Sequence, residues 1–570
     1  MNRVIPLAAL SALIIWSAVL ICGAEKPRGQ PGAFNEVAKT AGVQFHHVAS
    51  PTSKKYLPET MGSGVALFDY DNDGLLDIYL VNGAPLHDPT APGTVPVKTG
   101  PQYWNRLYHQ KNDGTFEDVT ERAGVAGIGY GMGVAVGDFD NDGYEDLFVT
   151  EYGRNILYHN NGNGTFSDVT DEAGVKGTGW STSAAWVDYD NDGRLDLVVA
   201  RYLSWDFADI WCGEHQEGRR AYCHPDLFKP STLLLYHNED GKHFREVSTK
   251  AGLALPGKSL GIAIADYDKD GYPDIFVAND SMQEFLFHNK RNGTFEEVGL
   301  ESEVAVDADG RTFAGMGADF GDYNNDGWPD LVITDLANQK YPLYRNMHNG
   351  SFVDATFETG LAAVTLLHSG WGIHFIDYDN DGWSDLLIAQ GHVLDTIETT
   401  TPGLSYKETP LLLRNTGKGF IDVSKQSGDV FGNRWAARGL AVGDLDNDGK
   451  MDAVITTTDG PAYILKNQTQ NLNHWLTFKL EGKESNRDGI GATIQMQTSA
   501  GTLTQTVTTG GSYCSSSDVR AHFGLGGDKL VPDVEIHWPS GIVQHMENVP
   551  VDQVVRVMEP PASNLPVRVH

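Results

Sequence analysis

Four oxygen-bearing side chains at alternating positions around a tight turn make a ligand set for a hard cation, and this chain carries such a set seven times. The pattern D-x-D-x-D-G-x-x-D places Asp69, Asp71, Asp73 and Asp77 in the first copy and Asp138, Asp140, Asp142 and Asp146 in the second. Asp188, Asp190, Asp192 and Asp196 follow, then Asp266, Asp268, Asp270 and Asp274. The last three copies are Asp322, Asn324, Asp326 and Asp330; Asp377, Asp379, Asp381 and Asp385; and Asp444, Asp446, Asp448 and Asp452. A glycine at the sixth position permits the bend, and a backbone carbonyl at the seventh adds a ligand. That donor count suits six- to eight-coordinate calcium better than octahedral magnesium, so about seven Ca2+ sites are expected. The closing carboxylate stands at position nine rather than twelve and the flanks are strand-like, so the loop is not an EF-hand. Bare carboxylates at this spacing repel, which couples occupancy to folding. The bland alternative is seven solvated acidic turns.

The loops need rigid elements to hold them, and those recur with them. Gly133-Val-Ala-Val136 precedes one loop and Leu147-Phe-Val-Thr150 follows it. Then come Asn155-Ile-Leu-Tyr-His159, the turn Asn161-Gly-Asn-Gly164, and Thr165-Phe-Ser-Asp-Val-Thr170. Apolar runs around an asparagine-glycine turn signal a hairpin, so each unit is four antiparallel strands. Four-stranded units in a ring are propeller blades. The fourth-strand signature also occurs seven times, at Phe34, Phe116, Phe166, Phe244, Phe295, Phe352 and Phe420. The first precedes every acidic loop and none follows Tyr463 to Lys466, so an N-terminal strand is expected to close the last blade.

Gly64, Gly133, Ser183, Gly261, Gly317, Gly372 and Gly439 stand five residues before the loops, where innermost strands crowd the axis. Phosphate cradling by Gly129-Tyr-Gly-Met-Gly133 fails, because strand residues and an acidic loop follow where a helix N-terminus is needed. The fold class is therefore all-β: a seven-bladed propeller over 33–467, then a small β domain over 473–558, with a tail over 559–570. Alternating runs such as Thr502 to Val507 and Val534 to Trp538 supply strands of the second unit, joined through Gln468 to Leu472.

The 570 residues exceed one core, and 42 Lys+Arg against 76 Asp+Glu give a formal charge of −34. That sign argues against nucleic acid and anionic membrane as partners. Aromatic content of 10%, hydrophobic content of 40% and 64 glycines describe a folded, turn-rich chain rather than a disordered acidic one. Residues 1–24 read as an export signal: Arg3, an apolar run from Ile5 to Ile21, then Gly23-Ala24. The alternatives are an uncleaved anchor, which would be the one route to a membrane, and lipid attachment at Cys22. A secreted, periplasmic or cell-surface location follows. There, Cys212 and Cys223 are expected to form a loop-stapling disulfide, with a zinc site involving His215 and His224 as the alternative. Cys514 is left free.

At the acidic loops the sequence resembles the FG-GAP/VCBS repeat family, whose propeller relatives include the integrin α-subunit head. The resemblance implies calcium ligation by the motif residues named above. Asn473-His-Trp-Leu476, Asn486 to Ala492, His522-Phe-Gly-Leu-Gly526 and His537-Trp-Pro-Ser-Gly541 look like an ASPIC/UnbV domain. A propeller joined to this domain is similar to the cartilage acidic protein family.

No G-x-S-x-G, H-E-x-x-H or C-x-x-C-H motif occurs, so no catalytic site is nominated. The expected function is an adhesion, recognition or scaffold module for an extracellular protein or glycan. The alternative is a carbohydrate-active enzyme, such as a polysaccharide lyase, assembled from several blades. Three residues before the loops stand alanines, except Asp319 and His374 on neighbouring blades. These two are expected near the channel, as an acid/base pair, a polar ligand contact or simply a hydrogen-bonded pair. Long insertions at Gly83 to Asn105, Tyr202 to Ser231, Gly391 to Pro410 and Gly299 to Arg311 point to a ligand face opposite the acidic loops. Trp180, Arg201, Trp205, Trp211, His368 and His392 are its candidate residues.

Overall fold

The structure is a computed structural model, described for residues 33–215 and 219–561. The export signal expected at 1–24 and the tail residues 562–570 lie outside the described residues. Among the described residues no helix is long and apolar enough to cross a membrane.

Seven four-stranded antiparallel sheets carry the acidic loops. In the second, Tyr130–Gly137, Asp146–Tyr152, Ile156–Asn160 and Phe166–Asp168 pair in chain order. The acidic loop joins the first strand to the second, as the apolar flanks required. The fourth sheet carries an additional short strand, Phe313–Ala314, against its second strand. First strands are packed in sequence order around an axis, from Val65–Phe68 through Tyr130–Gly137 and onward to Ala437–Gly443. Ala437–Gly443 in turn packs on Val65–Phe68, which closes a propeller-like ring.

Closure follows the expected offset. Phe34–Glu36 pairs antiparallel with Tyr463–Asn467, Phe34 opposite Asn467 and Glu36 opposite Leu465. Phe34 is fully buried and its ring stands 6.2 Å from Tyr378 of the preceding loop. The same contact recurs around the ring, as with Tyr70 and Phe166 at 6.1 Å and Tyr267 and Phe352 at 5.6 Å. The aromatic at loop position two thus locks onto the fourth strand of the next sheet.

The C-terminal unit is two sheets. His474–Glu481 lies between Ala521–Gly526 and, in parallel, Gln553–Met558. The other sheet has the order Gly501–Thr506, Thr493–Thr498, Leu530–His537, Val543–Pro550. Beyond the linker at Gln468 to Leu472 the unit packs against the propeller. Its core is continuous with propeller residues such as Phe139, Phe148 and Trp186. Moreover, residues 511–518 run into the axis and touch all seven first strands. Leu67 N–H donates to Ser516 O at 3.0 Å and Val134 N–H to Cys514 O at 3.2 Å. Cys514 N–H donates to Ser183 Oγ at 2.9 Å, Gly511 N–H to Ile262 O at 2.7 Å and Ala318 N–H to Ser512 O at 3.2 Å. Tyr513 packs edge-on to Trp371 at 4.9 Å, and Ser512 Oγ donates to Leu440 O at 2.8 Å.

The recurring glycines acquire their reason here. A Cβ on Gly64 would overlap the Cys514 carbonyl, and one on Gly317 the backbone of the neighbouring strand. The expectation of mutual crowding between first strands was incomplete, since the axial segment fills the same space. Ser183, the exception, uses its hydroxyl to bind that segment.

Candidate cation loops and interface

Each loop is shaped by its glycine and its own hydrogen bonds. The glycine at position six has φ of 80–93° in all seven copies, a conformation that a side chain would strain. Its N–H donates to the position-one carboxylate at 2.7–3.1 Å. The position-nine aspartate, Asp77 and its equivalents, is at most 1% exposed. Its Oδ1 accepts from a third-strand N–H at 2.6–2.8 Å. Backbone donors thus fix the carboxylates at positions one and nine.

The donor set fits a divalent cation on the evidence of its spare oxygens. Asp69 Oδ1, Asp71 Oδ1, Asp190 Oδ1 and Asp379 Oδ1 are buried without a hydrogen-bond partner. Such groups are costly unless something pairs with them. Burial pushes the carboxyls of Asp77, Asp146, Asp196, Asp274 and Asp452 up to about 7. Burial, with the neighbouring Asp488 and Asp146 charges adding to it, pushes Asp138 up to about 9. A bound cation would reverse that pressure.

Two sets of loop residues escaped the sequence reading, although the repeat contained them. The residue one before the end of the third strand is basic throughout: His109, His159, His237, His288, Arg345, Arg414 and Lys466. His109 Nδ1 lies 3.1 Å from Asp77, His159 Nδ1 3.3 Å from Asp146 and Lys466 Nζ 2.8 Å from Asp452. Arg414 pairs instead with Asp379 and Asp381, and Arg345 with Glu358. The second set is position four, Asn72, Asn141, Asn191, Lys269, Asn325, Asn380 and Asn447, at φ 56–60°. Six of these are asparagines, which tolerate that conformation. Each donates through Nδ2 to the position-six glycine carbonyl of the next loop at 2.7–2.9 Å, Asn447 returning to Gly74. The loops thus form one hydrogen-bonded ring, interrupted at Lys269, which lies 4.6 Å over Trp328 instead.

The C-terminal unit sits on this loop face. Asp138 N–H donates to Asp488 Oδ2 at 2.8 Å, Arg487 N–H to Asn141 Oδ1 at 2.7 Å, and Arg520 to Asn447 Oδ1 at 2.6 Å. His522 Nε2 lies 2.9 Å from Asn380 Oδ1. Between the two units is a chamber of about 550 Å3, and Asp319 and His374 are on its wall. His374 Nδ1 stands 2.8 Å from Asp319 Oδ2. Burial would lower the imidazole's pKa, but the Asp319 charge and hydrogen bond outweigh it and hold it above the usual value.

The insertions gather away from the loops. Lys54 to Asp209 at 2.7 Å and Lys55 to Asp395 at 2.5 Å tie two of them to the stretch after Ser50. Cys212 and Cys223 are disulfide-bonded, and Cys514 is free and buried on the axis. The ligand-face candidates need correction, because packing has consumed most of them. Trp180 is fully buried among Tyr152, Tyr202 and Trp205. His392 is buried, accepts from Leu394 N–H at 2.9 Å and is pushed down to about 4 by that burial. Arg201 donates to Thr232 O at 2.7 Å, and His368 pairs with Glu408 at 2.8 Å. Trp205 is half-buried against Phe228 at 4.9 Å. Trp211, 40% exposed with Arg220 at 5.1 Å, alone offers a large open surface.

A family model described as FG-GAP-like repeat matches residues 97–149, 138–199, 266–333 and 322–388. One described as ASPIC and UnbV matches 482–564. Cartilage acidic protein 1 of Mus musculus is 23% identical over 334 residues, covering 55% of this chain and 47% of its own length. The Homo sapiens protein is 24% identical over 335 residues, covering 55% and 46%. The chain thus spans about half the length of the curated relatives it matches. Among solved structures, BBS1N in complex with ARL6DN shares 9% identity at a TM-score of 0.41, covering 77% of this chain and 99% of that one. Bacillus licheniformis rhamnogalacturonan lyase PL11 shares 14% at a TM-score of 0.35, covering 77% and 76%.

Proposed function

For a chain that carries FG-GAP-like repeats and an ASPIC and UnbV domain, we propose an exported, calcium-loaded propeller that serves as a rigid recognition or scaffold module for an extracellular protein or glycan. The observation that carries this reading is the ring of loops itself. Buried carboxylate oxygens without partners stand at position one of the first loop and at position three of the first, third and sixth. The asparagine links between loops make each site part of its neighbour's support. Calcium would be held by the side chains at positions one, three, five and nine and would supply charge neutralisation rather than chemistry. Binding to the folded state alone raises stability by mass action.

Titration of chelator-treated protein should register about seven calcium equivalents, and loading should raise the melting temperature. Equal melting temperatures with and without calcium would sink the reading. A screen of extracellular proteins and glycans against the calcium-loaded chain then tests recognition, with saturable binding and no turnover expected.

A further inference from the structure

The chamber between the loop face and the C-terminal unit is walled by polar and aromatic side chains of both units. On the C-terminal side, alternation in Thr493–Thr498 and Gly501–Thr506 sends Ile494, Met496 and Leu503 into the core. It sends Thr493, Gln495, Thr504 and Thr506 the other way, with Gln495 opposite Thr504 and Thr493 opposite Thr506 in register. A polar sheet face ordinarily meets solvent. This one faces the propeller across the chamber.

The propeller wall supplies Asp319, Phe320, His374 and Phe375. Asp319 Oδ2 accepts from Phe375 N–H at 2.9 Å and faces His374 Nδ1, which leaves Oδ1 as an acceptor. His374 keeps Nε2 as its second polar atom. Thr504 Oγ1 is buried without a partner. Phe320 and Phe375 are only half-buried although they stand between two packed units, so their rings are open to the chamber. Asp319 pairs with His374 and Asp518 with Arg520 at 2.7 Å, while Asp188, Asp266, Asp322 and Asp377 also reach the wall and leave it net negative. The rim at Lys269, Gly271 and His537 is exposed and gives access.

A net-negative wall of interspersed donors, acceptors and aromatic rings does not suit an anion. It suits a molecule with several hydroxyl groups and an apolar ring face. We propose that this chamber binds a neutral saccharide or polyol of one to two rings, with Asp319, His374, Gln495 and Thr504 as its polar contacts. The volume lies within the range of small-molecule sites. The proposal rests on the calcium reading only in that bound cations neutralise Asp188, Asp266, Asp322 and Asp377, which also reach this wall.

The test is saturation-transfer NMR of the calcium-loaded full chain against glucose, galactose, rhamnose, maltose and sorbitol. At least one should receive saturation, and Gln495→Ala and Thr504→Val should each weaken it about tenfold, the loss of one good hydrogen bond. Thr504→Val conserves shape and guards against a folding artefact, checked by unchanged calcium-dependent melting. Ile421→Ala, at an exposed fourth-strand residue outside the chamber, should leave binding intact. No transfer to any of the five compounds overturns the proposal, as does binding that survives both chamber variants or is lost in Ile421→Ala. Calcium titration is read separately, so saccharide binding without calcium uptake would sink the calcium reading and leave this one standing.

Discussion

At the scale of residues, the Asp319 and His374 pair shows how departures from a repeat become a feature of the chamber wall. Five equivalent positions hold alanine, and the two exceptions lie on adjacent first strands, so their side chains meet at 2.8 Å. Because Asp319 holds the His374 pKa above 6.5, the folded state binds this proton more tightly than the unfolded chain. The contribution is fully present below pH 6.5 and is lost as pH rises through the folded-state value. Asp319→Asn should therefore cost stability on the order of 3 kcal/mol at pH 6. The difference from the unsubstituted protein should shrink toward pH 9 in urea denaturation. A difference that is constant with pH would show that the pair carries no charge.

Among elements, the position-four asparagines and the N-terminal strand do the joining. Lys269 interrupts the ring of loop-to-loop hydrogen bonds at a φ of 58°, where asparagine is better accommodated. Lys269→Asn should restore the donor toward Gly327 and stabilise the calcium-loaded protein by about 1 kcal/mol. Destabilisation would mean that the Lys269 contact over Trp328 outweighs a loop link. The N-terminal strand closes the ring from the other direction, with Phe34 buried against Tyr378 and Phe431. A chain beginning at Ser50 would leave Tyr463–Asn467 as an exposed edge. It should melt lower and take up fewer calcium equivalents; retention of both would refute closure as a source of stability.

For the whole molecule, the axial segment ties the C-terminal unit to the first strands, and the two are expected to unfold together. Tyr513 is fully buried against Trp371, far from its own sheets. Tyr513→Ala should cost about 3–5 kcal/mol, the range for emptying a large aromatic site. Calorimetry should record a single unfolding transition, lowered as a whole by this variant. Two separable transitions, with only the smaller one shifted, would show that the C-terminal unit is an independent passenger.

The repeat made the loops, the four-strand units and the offset of Phe34 legible, because ligand spacing, hairpin chemistry and strand alternation are local properties of the chain. The basic third-strand residues and the position-four asparagines were equally present in every copy. Their partners lie across a sheet or in the next one, so nothing local distinguished them. The fate of Trp180 and His392 could not be read at all, since burial depends on how distant insertions fold over them. Nor could the axial course of residues 511–518 or the chamber beside it. A strand's register and a loop's ligands are set by neighbours in sequence. The docking of two units is set by complementary surfaces hundreds of residues apart, and that was decided only by the tertiary structure.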